Sequence, residues 1–252
     1  MRSTTSTSLP RNSPRSTATP RNPASTCGGR ALISESTSFA VDRLLLDCDG
    51  VLVDSHDAAA AAWNRWAERW APGFDFHRDI EHGRRIRDVV AELIADPADV
   101  AEAALELKNM EMDCAIDVAE IPGARRLLES SPEGSWAVVT SGNRSIASAR
   151  MASAGLPQAP VLVTGEDVQN GKPFPDPYVV AAERLRVLPQ RCAVFEDAPA
   201  GIASACAAGV QTIIGVGANA RVPEVTLVVS DLTGVRFDGR ELRIDTSTIL
   251  GR

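Results

Sequence analysis

Short, continuous runs of apolar residues recur along the chain. They lie at residues 44–46, 136–139, 161–163, 193–195, 211–214 and 226–229. Runs of this length predict strands that are buried on both faces of a parallel sheet. Apolar residues at helical spacing separate the later runs, over residues 145–154, 177–186 and 200–208. This alternation predicts an α/β fold in which helices cover both faces of a Rossmann-like parallel sheet.

The interval from residue 55 to residue 120 breaks the alternation. It lacks strand signals, and its apolar spacing predicts helices over residues 58–70, 88–95 and 98–112. A crossover between parallel strands needs only a dozen or so residues. We therefore predict an inserted α-helical cap domain at 55–120, with an α/β core formed by residues 39–54 and 121–252.

Residues 1–38 are dominated by Ser, Thr, Pro, Arg and Asn. Such a composition cannot bury enough apolar surface to offset the entropy of ordering, so we predict a disordered N-terminal arm. Two alternatives stay open. An Arg-rich, Ser-rich and acid-poor N-terminus is also typical of an organellar transit peptide, and the start codon could be assigned too early.

The charge and composition of the chain limit the classes of molecule that it is expected to bind. The net charge is −7, and the first 34 residues carry five arginines and no acid, so the rest of the chain carries −12. An acidic body argues against nucleic-acid and anionic-membrane partners, and no apolar stretch is long enough to span a membrane.

The five cysteines lack zinc-site spacing, and apolar neighbours predict that Cys48, Cys192 and Cys206 are buried. We expect a cytoplasmic monomer or small homo-oligomer.

The most informative polar residues directly follow the first apolar run. Asp47 and Asp49 are two positions apart in Asp-Cys-Asp-Gly, so an extended strand places them on the same side. In α/β sheets, ligands bind at the carboxyl ends of the strands. Neighbouring carboxylates repel unless a proton or a cation neutralises one of them. By itself, however, the pattern could be only a turn.

Polar residues also follow three later runs. Hydroxyls and amides that could hold an anion occupy the turn after the second run: Thr140, Ser141, Gly142 and Asn143. Lys172 stands in a proline-rich loop, and Glu196 and Asp197, whose oxygens suit Mg²⁺, end the fourth run. Each motif also has a simpler explanation. The hydroxyl and acidic residues could be helix caps, and Lys172 could be a solvent-exposed surface residue. Together, the four motifs meet at one edge of one sheet.

In this order, the motifs resemble those of the haloacid dehalogenase (HAD) superfamily. The resemblance covers roughly residues 39–232, and the insertion is similar to that superfamily's C1 cap. Within that superfamily, the chain resembles the branch of sugar phosphatases and β-phosphoglucomutases. Residues 138–142, residues 171–178 and His82-Gly83-x-Arg85 are most similar to 2-deoxyglucose-6-phosphate and glycerol-phosphate phosphatases.

The resemblance implies a role for each matching position. Asp47 would be the nucleophile that forms a phospho-aspartyl intermediate, Asp49 the general acid and base, and Lys172 the neutralising charge. The implied Mg²⁺ site consists of Asp47, the Asp49 carbonyl, Glu196 and Asp197. The implied substrate contacts are Thr140, Ser141, Gly142 and Asn143 for the phosphoryl group, and His82 and Arg85 for the rest of the molecule.

The function predicted by the resemblance is Mg²⁺-dependent hydrolysis of a small phosphorylated sugar or polyol. Dehalogenases lack the second aspartate, so Asp49 argues against dehalogenation. A β-phosphoglucomutase-like mutase is the main alternative, but mutases carry a His twelve positions after the nucleophile, where this chain has Ala59. A non-catalytic sugar-phosphate-binding protein is the remaining alternative. Glu111 is a weaker candidate for a substrate contact in the cap, and His56 has no assigned role from the sequence.

Overall fold

A computed structural model describes residues 36–251. Over this range the chain forms twelve strands and eight α-helices. The strands are β1 (Ser36–Ala40), β2 (Arg43–Leu46), β3 (Val53–Asp54), β4 (Ala119–Glu120), β5 (Trp136–Val139), β6 (Leu162–Val163), β7 (Cys192–Glu196), β8 (Thr212–Val216), β9 (Leu227–Val229), β10 (Val235–Phe237), β11 (Glu241–Asp245) and β12 (Ile249–Gly251). The helices are α1 (His56–Trp70), α2 (Phe76–Asp79), α3 (Ile86–Leu93), α4 (Val100–Asp113), α5 (Ala124–Ser130), α6 (Arg144–Ser153), α7 (Asp176–Arg184) and α8 (Pro199–Ala207).

The main sheet has seven strands in the order β12-β9-β8-β7-β2-β5-β6. All neighbours are parallel except β12, which pairs antiparallel with β9. Strand β2 lies in the centre, between β7 and β5. The carboxyl ends of β2, β5 and β7 are therefore neighbours, which is the arrangement that brings their terminal polar residues together.

Alternate residues of β2 enter different cores. Leu44 and Leu46 join one apolar cluster, while Leu45 joins a second cluster with Tyr178. This is the consequence of period-two geometry in a strand covered on both faces. Aliphatic side chains fill most of both clusters, which fits the low aromatic content of 4%.

The helical stretch between β3 and β4, here called the cap segment, has its own apolar cluster. Trp63 and Trp66 of α1 pack there with Phe76, Val90 and Leu107. At the base of the segment, β3 and β4 pair with each other as an antiparallel two-stranded ribbon. The segment therefore leaves and rejoins the sheet region at neighbouring points, where its entry and exit strands are joined by backbone hydrogen bonds.

The predicted α/β class is confirmed, and the six predicted strands and six predicted helices all occur with ends displaced by no more than two residues. Two details differ. Cys48 and Cys192 are buried, but Cys206 is exposed because it lies on the outer face of α8. Residues 36–38 belong to β1 and pair with β11, so the predicted arm boundary at residue 38 is wrong. Residues 1–35 lie outside the described range.

The short elements escaped the sequence analysis. α2, α5 and the strands after residue 232 are three to seven residues long, too short for a clear apolar period. Among the described helices, none is long and apolar enough to cross a membrane.

Candidate active site

Lys172 lies at the centre of the polar cluster at the sheet edge. Its Nζ donates to Asp47 Oδ1 at 2.8 Å, to Glu196 Oε1 at 2.5 Å and to the Val139 carbonyl at 3.0 Å. An ammonium group has three protons, so these contacts use all of them. The side chain is buried. Lys172 therefore joins the ends of β2, β5 and β7 with one charge.

Three carboxylates converge beside this lysine. Asp47, Glu196 and Asp197 each offer an oxygen, and the three oxygens lie within 4.8 Å of one another. Glu196 Oε1 also accepts a hydrogen bond from the Tyr178 hydroxyl at 2.5 Å, whereas Glu196 Oε2 is buried with no hydrogen-bond partner among the described residues. An unpartnered buried carboxylate oxygen is costly unless a cation satisfies it. The cluster thus fits a divalent cation with oxygen ligands.

Gly50 makes room for one of these carboxylates. Its φ is +77°, and a Cβ built there would stand 2.1 Å from Asp197 Oδ2. Only glycine adopts this conformation without strain and also leaves the space free. The Asp-Cys-Asp-Gly sequence therefore supplies both the acids that follow β2 and the gap that Asp197 occupies.

Burial and mutual repulsion perturb the acids. Burial is the main cause that raises the pKa of Asp47 to about 7, with Lys172 acting in the opposite direction and Glu196 adding to the increase. Burial likewise raises the pKa of Glu196 and of Asp197, opposed by Lys172 and by a hydrogen bond from His56 respectively. Three carboxylates that resist ionisation together favour a cation at this place.

Asp49 faces a different set of partners. Its Oδ1 accepts hydrogen bonds from Ser55 Oγ at 2.6 Å and from Arg150 Nη1 at 2.8 Å, and its Oδ2 lies 3.5 Å from Thr140 Oγ1. Burial opposes ionisation, but the Arg150 charge and the two hydrogen bonds prevail and lower the pKa of Asp49. The two aspartates of the motif therefore occupy separate environments, one beside Lys172 and one beside Arg150.

The turn after β5 divides its side chains between two directions. Thr140 Oγ1 accepts the Gly142 amide at 3.0 Å and lies near Asp49, within the pocket. Ser141 Oγ donates to the Gly83 carbonyl of the cap segment at 2.6 Å. Asn143 turns away and donates to Glu166 Oε1 at 2.7 Å. The predicted anion cradle thus contains Thr140, Ser141 and Gly142 along the pocket wall, while Asn143 lies outside it.

A pocket of about 100 Å³ opens between these strand ends and the cap segment. Asp47, Asp49 and Asp197 line its floor. Its upper wall is formed by cap-segment residues, among them Ala59, Trp63, Phe76, His82, Arg84 and Glu111.

The comparisons with known proteins agree with this geometry. The family model of the haloacid dehalogenase-like hydrolases matches residues 41–209. The chain belongs to this family of hydrolases. It is 40% identical to hexitol phosphatase A of Escherichia coli over 75% of this chain and 90% of that one. It is 34% identical to glycerol-1-phosphate phosphohydrolase 2 of Saccharomyces cerevisiae over 73% of this chain and 78% of that one.

The fold is shared with solved structures as well. The crystal structure of β-phosphoglucomutase from Clostridium difficile superposes with a TM-score of 0.67 at 20% identity, covering 78% of this chain and 94% of that chain. This likeness shows the HAD-like fold. The similarity to phosphatases comes from the two relatives named above, hexitol phosphatase A and glycerol-1-phosphate phosphohydrolase 2.

The cap residues predicted from the HAD resemblance occupy different positions. His82 lines the pocket, and its ring lies 5.2 Å from the ring of His56 and 5.3 Å from that of Phe76. Burial lowers the pKa of His82, which favours a neutral ring. Arg85 is buried but is not among the pocket-lining residues. Of the two predicted substrate contacts, only His82 lines this pocket, whereas Arg85 lines two neighbouring cavities.

Arg85 instead joins the cap segment to a core loop. It forms a two-pronged ion pair with Asp88, with nitrogen–oxygen distances of 2.6 and 3.0 Å, and its Nη1 donates to the Gln169 carbonyl at 3.0 Å. The side chain packs against Gly171, where a Cβ would stand 2.6 Å from Nε. Because Gly171 precedes Lys172, the cap segment and the lysine loop are in direct contact through Arg85.

Four polar residues of the site were missed or left without a role by the sequence analysis. They are Ser55, Tyr178, Arg150 and His56, the last of which places Nε2 3.4 Å from Asp197 Oδ2. Ser55 and His56 lie at the start of α1, close in sequence to the first motif, so their proximity could have been inferred. Arg150 is more than a turn inside α6, where nothing in the sequence distinguishes it from an ordinary helix residue. Tyr178 is the third residue of α7 and ends the segment 171–178, but the resemblance assigned it no role.

Proposed function

We propose that this HAD-family chain is a Mg²⁺-dependent phosphatase that hydrolyses monoesters of small sugars or polyols through a phospho-aspartyl intermediate. The observation that carries the proposal is the Lys172 bridge between Asp47 and Glu196, beside three convergent carboxylates. A phosphoryl group brings two negative charges to this place. A fixed lysine and a divalent cation are the charges that such a reaction needs.

Asp47 is the nucleophile in this proposal. One of its carboxylate oxygens forms a bond to phosphorus as the bond from phosphorus to the alcohol oxygen breaks. Lys172 fixes the orientation of the carboxylate through Oδ1 and neutralises part of its charge. Asp47, Glu196, Asp197 and the Asp49 carbonyl would hold Mg²⁺, which supplies further charge stabilisation for the phosphoryl oxygens when bound.

Asp49 is the proton carrier. In the first step its carboxyl, which takes up a proton when the anionic phosphoryl group raises its pKa, gives that proton to the departing alcohol oxygen, which leaves as a neutral alcohol. In the second step the resulting carboxylate takes a proton from water as the water oxygen attacks phosphorus. The phosphoryl–Asp47 bond then breaks, inorganic phosphate leaves, and both aspartates return to their starting states.

The cap segment supplies the substrate preference in this proposal. The phosphoryl group would lie against Thr140, Ser141 and Gly142, and the alcohol would extend toward the mixed aromatic and polar wall of the cap segment. Hexitol and glycerol phosphate esters are the substrates named for two relatives. We therefore place the substrate in the class of small, hydroxyl-rich phosphate monoesters.

The experiment is a phosphate-release screen of sugar phosphates, polyol phosphates and phosphoglycolate with Mg²⁺ and with EDTA. Asp47→Asn keeps the shape and removes the nucleophile, so turnover should vanish while the melting temperature stays close to that of the wild type. Asp42→Asn is the matched control, because Asp42 pairs with Arg191 away from the pocket. Turnover by Asp47→Asn above a trace, or full wild-type activity in EDTA, would contradict the proposal.

The same assay separates hydrolysis from phosphoryl transfer within a sugar. Ala59 lines the pocket at the position where the mutases carry a His. With β-glucose 1-phosphate we expect glucose and phosphate, or no reaction. Sustained formation of glucose 6-phosphate with little free phosphate would favour the mutase instead.

A further inference from the structure

Arg150 is a buried cation outside the four strand-end motifs. It lies on α6, on the side that faces the pocket, and only 3% of its surface is exposed. Its Nη1 donates to Asp49 Oδ1 at 2.8 Å, and its Nη2 donates to Glu111 Oε2 at 3.3 Å. One guanidinium thus contacts both the proposed proton carrier and a carboxylate of the cap segment.

Glu111 is held from the cap side as well. It lies on α4, and its Oε1 accepts a hydrogen bond from the Trp63 indole of α1 at 2.7 Å. The Glu111 side chain is buried, yet it lines the pocket together with Trp63 and Arg150. The carboxylate therefore joins a cap helix pair to a core helix, directly above Asp49.

This network is expensive for the fold. The Glu111 carboxylate and the Arg150 guanidinium are removed from water, and burial raises the pKa of Glu111. Buried ion pairs commonly contribute no net stability relative to apolar residues of the same volume. A planar guanidinium with donors in a fixed fork does, however, fix the orientation of its partners. Orientation of Asp49, rather than stability, is what the arrangement provides.

We infer that Arg150 is a positioning residue that fixes the Asp49 carboxyl group and, through Glu111, ties its position to that of the cap segment. The inference rests on the proposed function, because it concerns the proton carrier of that reaction. Arg150 touches neither phosphorus nor the alcohol in this scheme. Its loss should therefore weaken the proton transfer to the leaving alcohol much more than the attack of Asp47.

Leaving-group dependence tests this directly. An alkyl alcohol needs a proton to leave, whereas 2,4-dinitrophenolate leaves without one. The rate constant of the first phosphoryl transfer is measured by rapid quench for 2,4-dinitrophenyl phosphate and for the polyol phosphate that the wild type hydrolyses best. We expect Arg150→Met to lower the polyol ester rate constant by about tenfold or more and to change the dinitrophenyl ester rate constant by less than about threefold.

Matched variants keep the result specific. Arg144→Met removes another arginine from the same helix, one that pairs with Asp167 outside the pocket, and should leave both rate constants unchanged. Arg150→Lys keeps the charge without the fork, so it should recover part of the polyol ester rate constant. If Arg150→Met does not fold, Arg150→Lys carries the same comparison between the two esters.

The connection to the cap is tested with Glu111→Gln. This variant retains an acceptor for Trp63 and weakens the contact with Arg150, so the polyol ester should again suffer selectively, by roughly threefold to tenfold. The Arg150→Met, Glu111→Gln double variant should show less loss than the product of the single losses, because the two residues act through one chain of contacts. Multiplying losses would overturn the connection to the cap.

Two results separate this inference from the proposed function. If the wild type releases phosphate from both esters but Arg150→Met loses equal factors on both, or on neither, Arg150 is not a positioning residue for Asp49. If the wild type forms no phospho-enzyme from either ester, the proposed function itself is wrong.

Discussion

At the residue scale, two buried cationic side chains, Lys172 and Arg150, each bind two acidic residues of the site. Lys172 distributes three hydrogen bonds over Asp47, Glu196 and the Val139 carbonyl, which leaves Glu196 Oε2 without a partner among the described residues. Arg150 donates one hydrogen bond to Asp49 and one to Glu111. Burial raises the pKa of Asp47 despite the Lys172 charge, whereas the Arg150 charge and two hydrogen bonds outweigh burial and lower the pKa of Asp49. The proposed reaction needs the reverse in its first step, an ionised Asp47 and a protonated Asp49, so a bound cation would have to lower the pKa of Asp47 and the anionic phosphoryl group would have to raise that of Asp49.

The space at Gly50 leads to a residue-scale prediction. We expect Gly50→Ala to displace Asp197, because its Cβ would stand 2.1 Å from Oδ2. The Mg²⁺ concentration for half-maximal activity should rise, and kcat/KM should fall by about tenfold or more. Gly73→Ala is the control, since Gly73 also has a positive φ, +96°, but open space around its Cβ position. It should cost about 1–2 kcal/mol of stability and leave kcat/KM unchanged. Equal activity losses in both variants would contradict the steric explanation.

At the element scale, the strand order brings the chemistry together. The ends of β7, β2 and β5 are adjacent, and the loop after β6 carries Lys172 back to them. The cap segment contacts this edge at several places. The Gly83 carbonyl accepts a hydrogen bond from Ser141, Arg85 donates to the Gln169 carbonyl, and Glu111 accepts from Arg150. The contacts of Gly83 and Glu111 lie along the pocket, whereas that of Arg85 lies outside it.

Arg85 supports a prediction that differs from the one its motif suggests. A residue that reads the leaving group should affect a polyol phosphate more than p-nitrophenyl phosphate. Because Arg85 pairs with Asp88 and with the loop before Lys172, outside the pocket, we expect Arg85→Ala to lower kcat/KM by a similar factor for both substrates. The melting temperature should also fall, since about 2 kcal/mol of charged hydrogen bonding is lost.

The control for this experiment is Arg87→Ala. Arg87 lies two residues further on, and 58% of its side chain is exposed. It should change neither kcat/KM nor melting temperature by much, because exposed ion pairs contribute little. A selective loss on the polyol phosphate in Arg85→Ala would restore a direct specificity role for that residue.

At the scale of the whole molecule, a second sheet stabilises the N-terminal end of the described chain. Strand β1 pairs with β11 over five residue pairs, in a three-stranded sheet with β10. Phe39 of β1 packs against the larger apolar cluster of the core. The first described strand, β1, is therefore held in place by β11, a strand near the C-terminal end of the described chain.

Two truncations test the contribution of β1. Deleting residues 1–35 should leave the melting temperature and kcat/KM nearly unchanged, because their composition offers little apolar surface to bury. Deleting residues 1–40 also removes β1 and leaves β11 with one partner strand, so the melting temperature should drop by several degrees. Thermal unfolding of both variants provides the measurement. A large drop on deleting residues 1–35 alone would contradict the composition argument.

The sequence by itself determined the α/β class, the six main strands and the acids, lysine and hydroxyls at their ends. Those features are local. A continuous apolar run, a glycine after Asp-Cys-Asp and a stiff lysine loop can each be recognised within ten residues or fewer. Parallel topology then makes the meeting of the strand ends an expected consequence, since carboxyl ends of parallel strands share one edge.

Only the tertiary structure decided which partner each of these residues takes. Nothing in the sequence indicates that Arg150 and Glu111, 39 positions apart, are in contact, and that contact depends on how α6 packs against α4. The motif that contains Arg85 likewise carries no information about the direction of its side chain, and the contacts with Asp88 and the Gln169 carbonyl appear only in the fold. The physical reason is that side-chain direction and burial depend on helix packing over the whole fold, whereas motif and period report only the local chain.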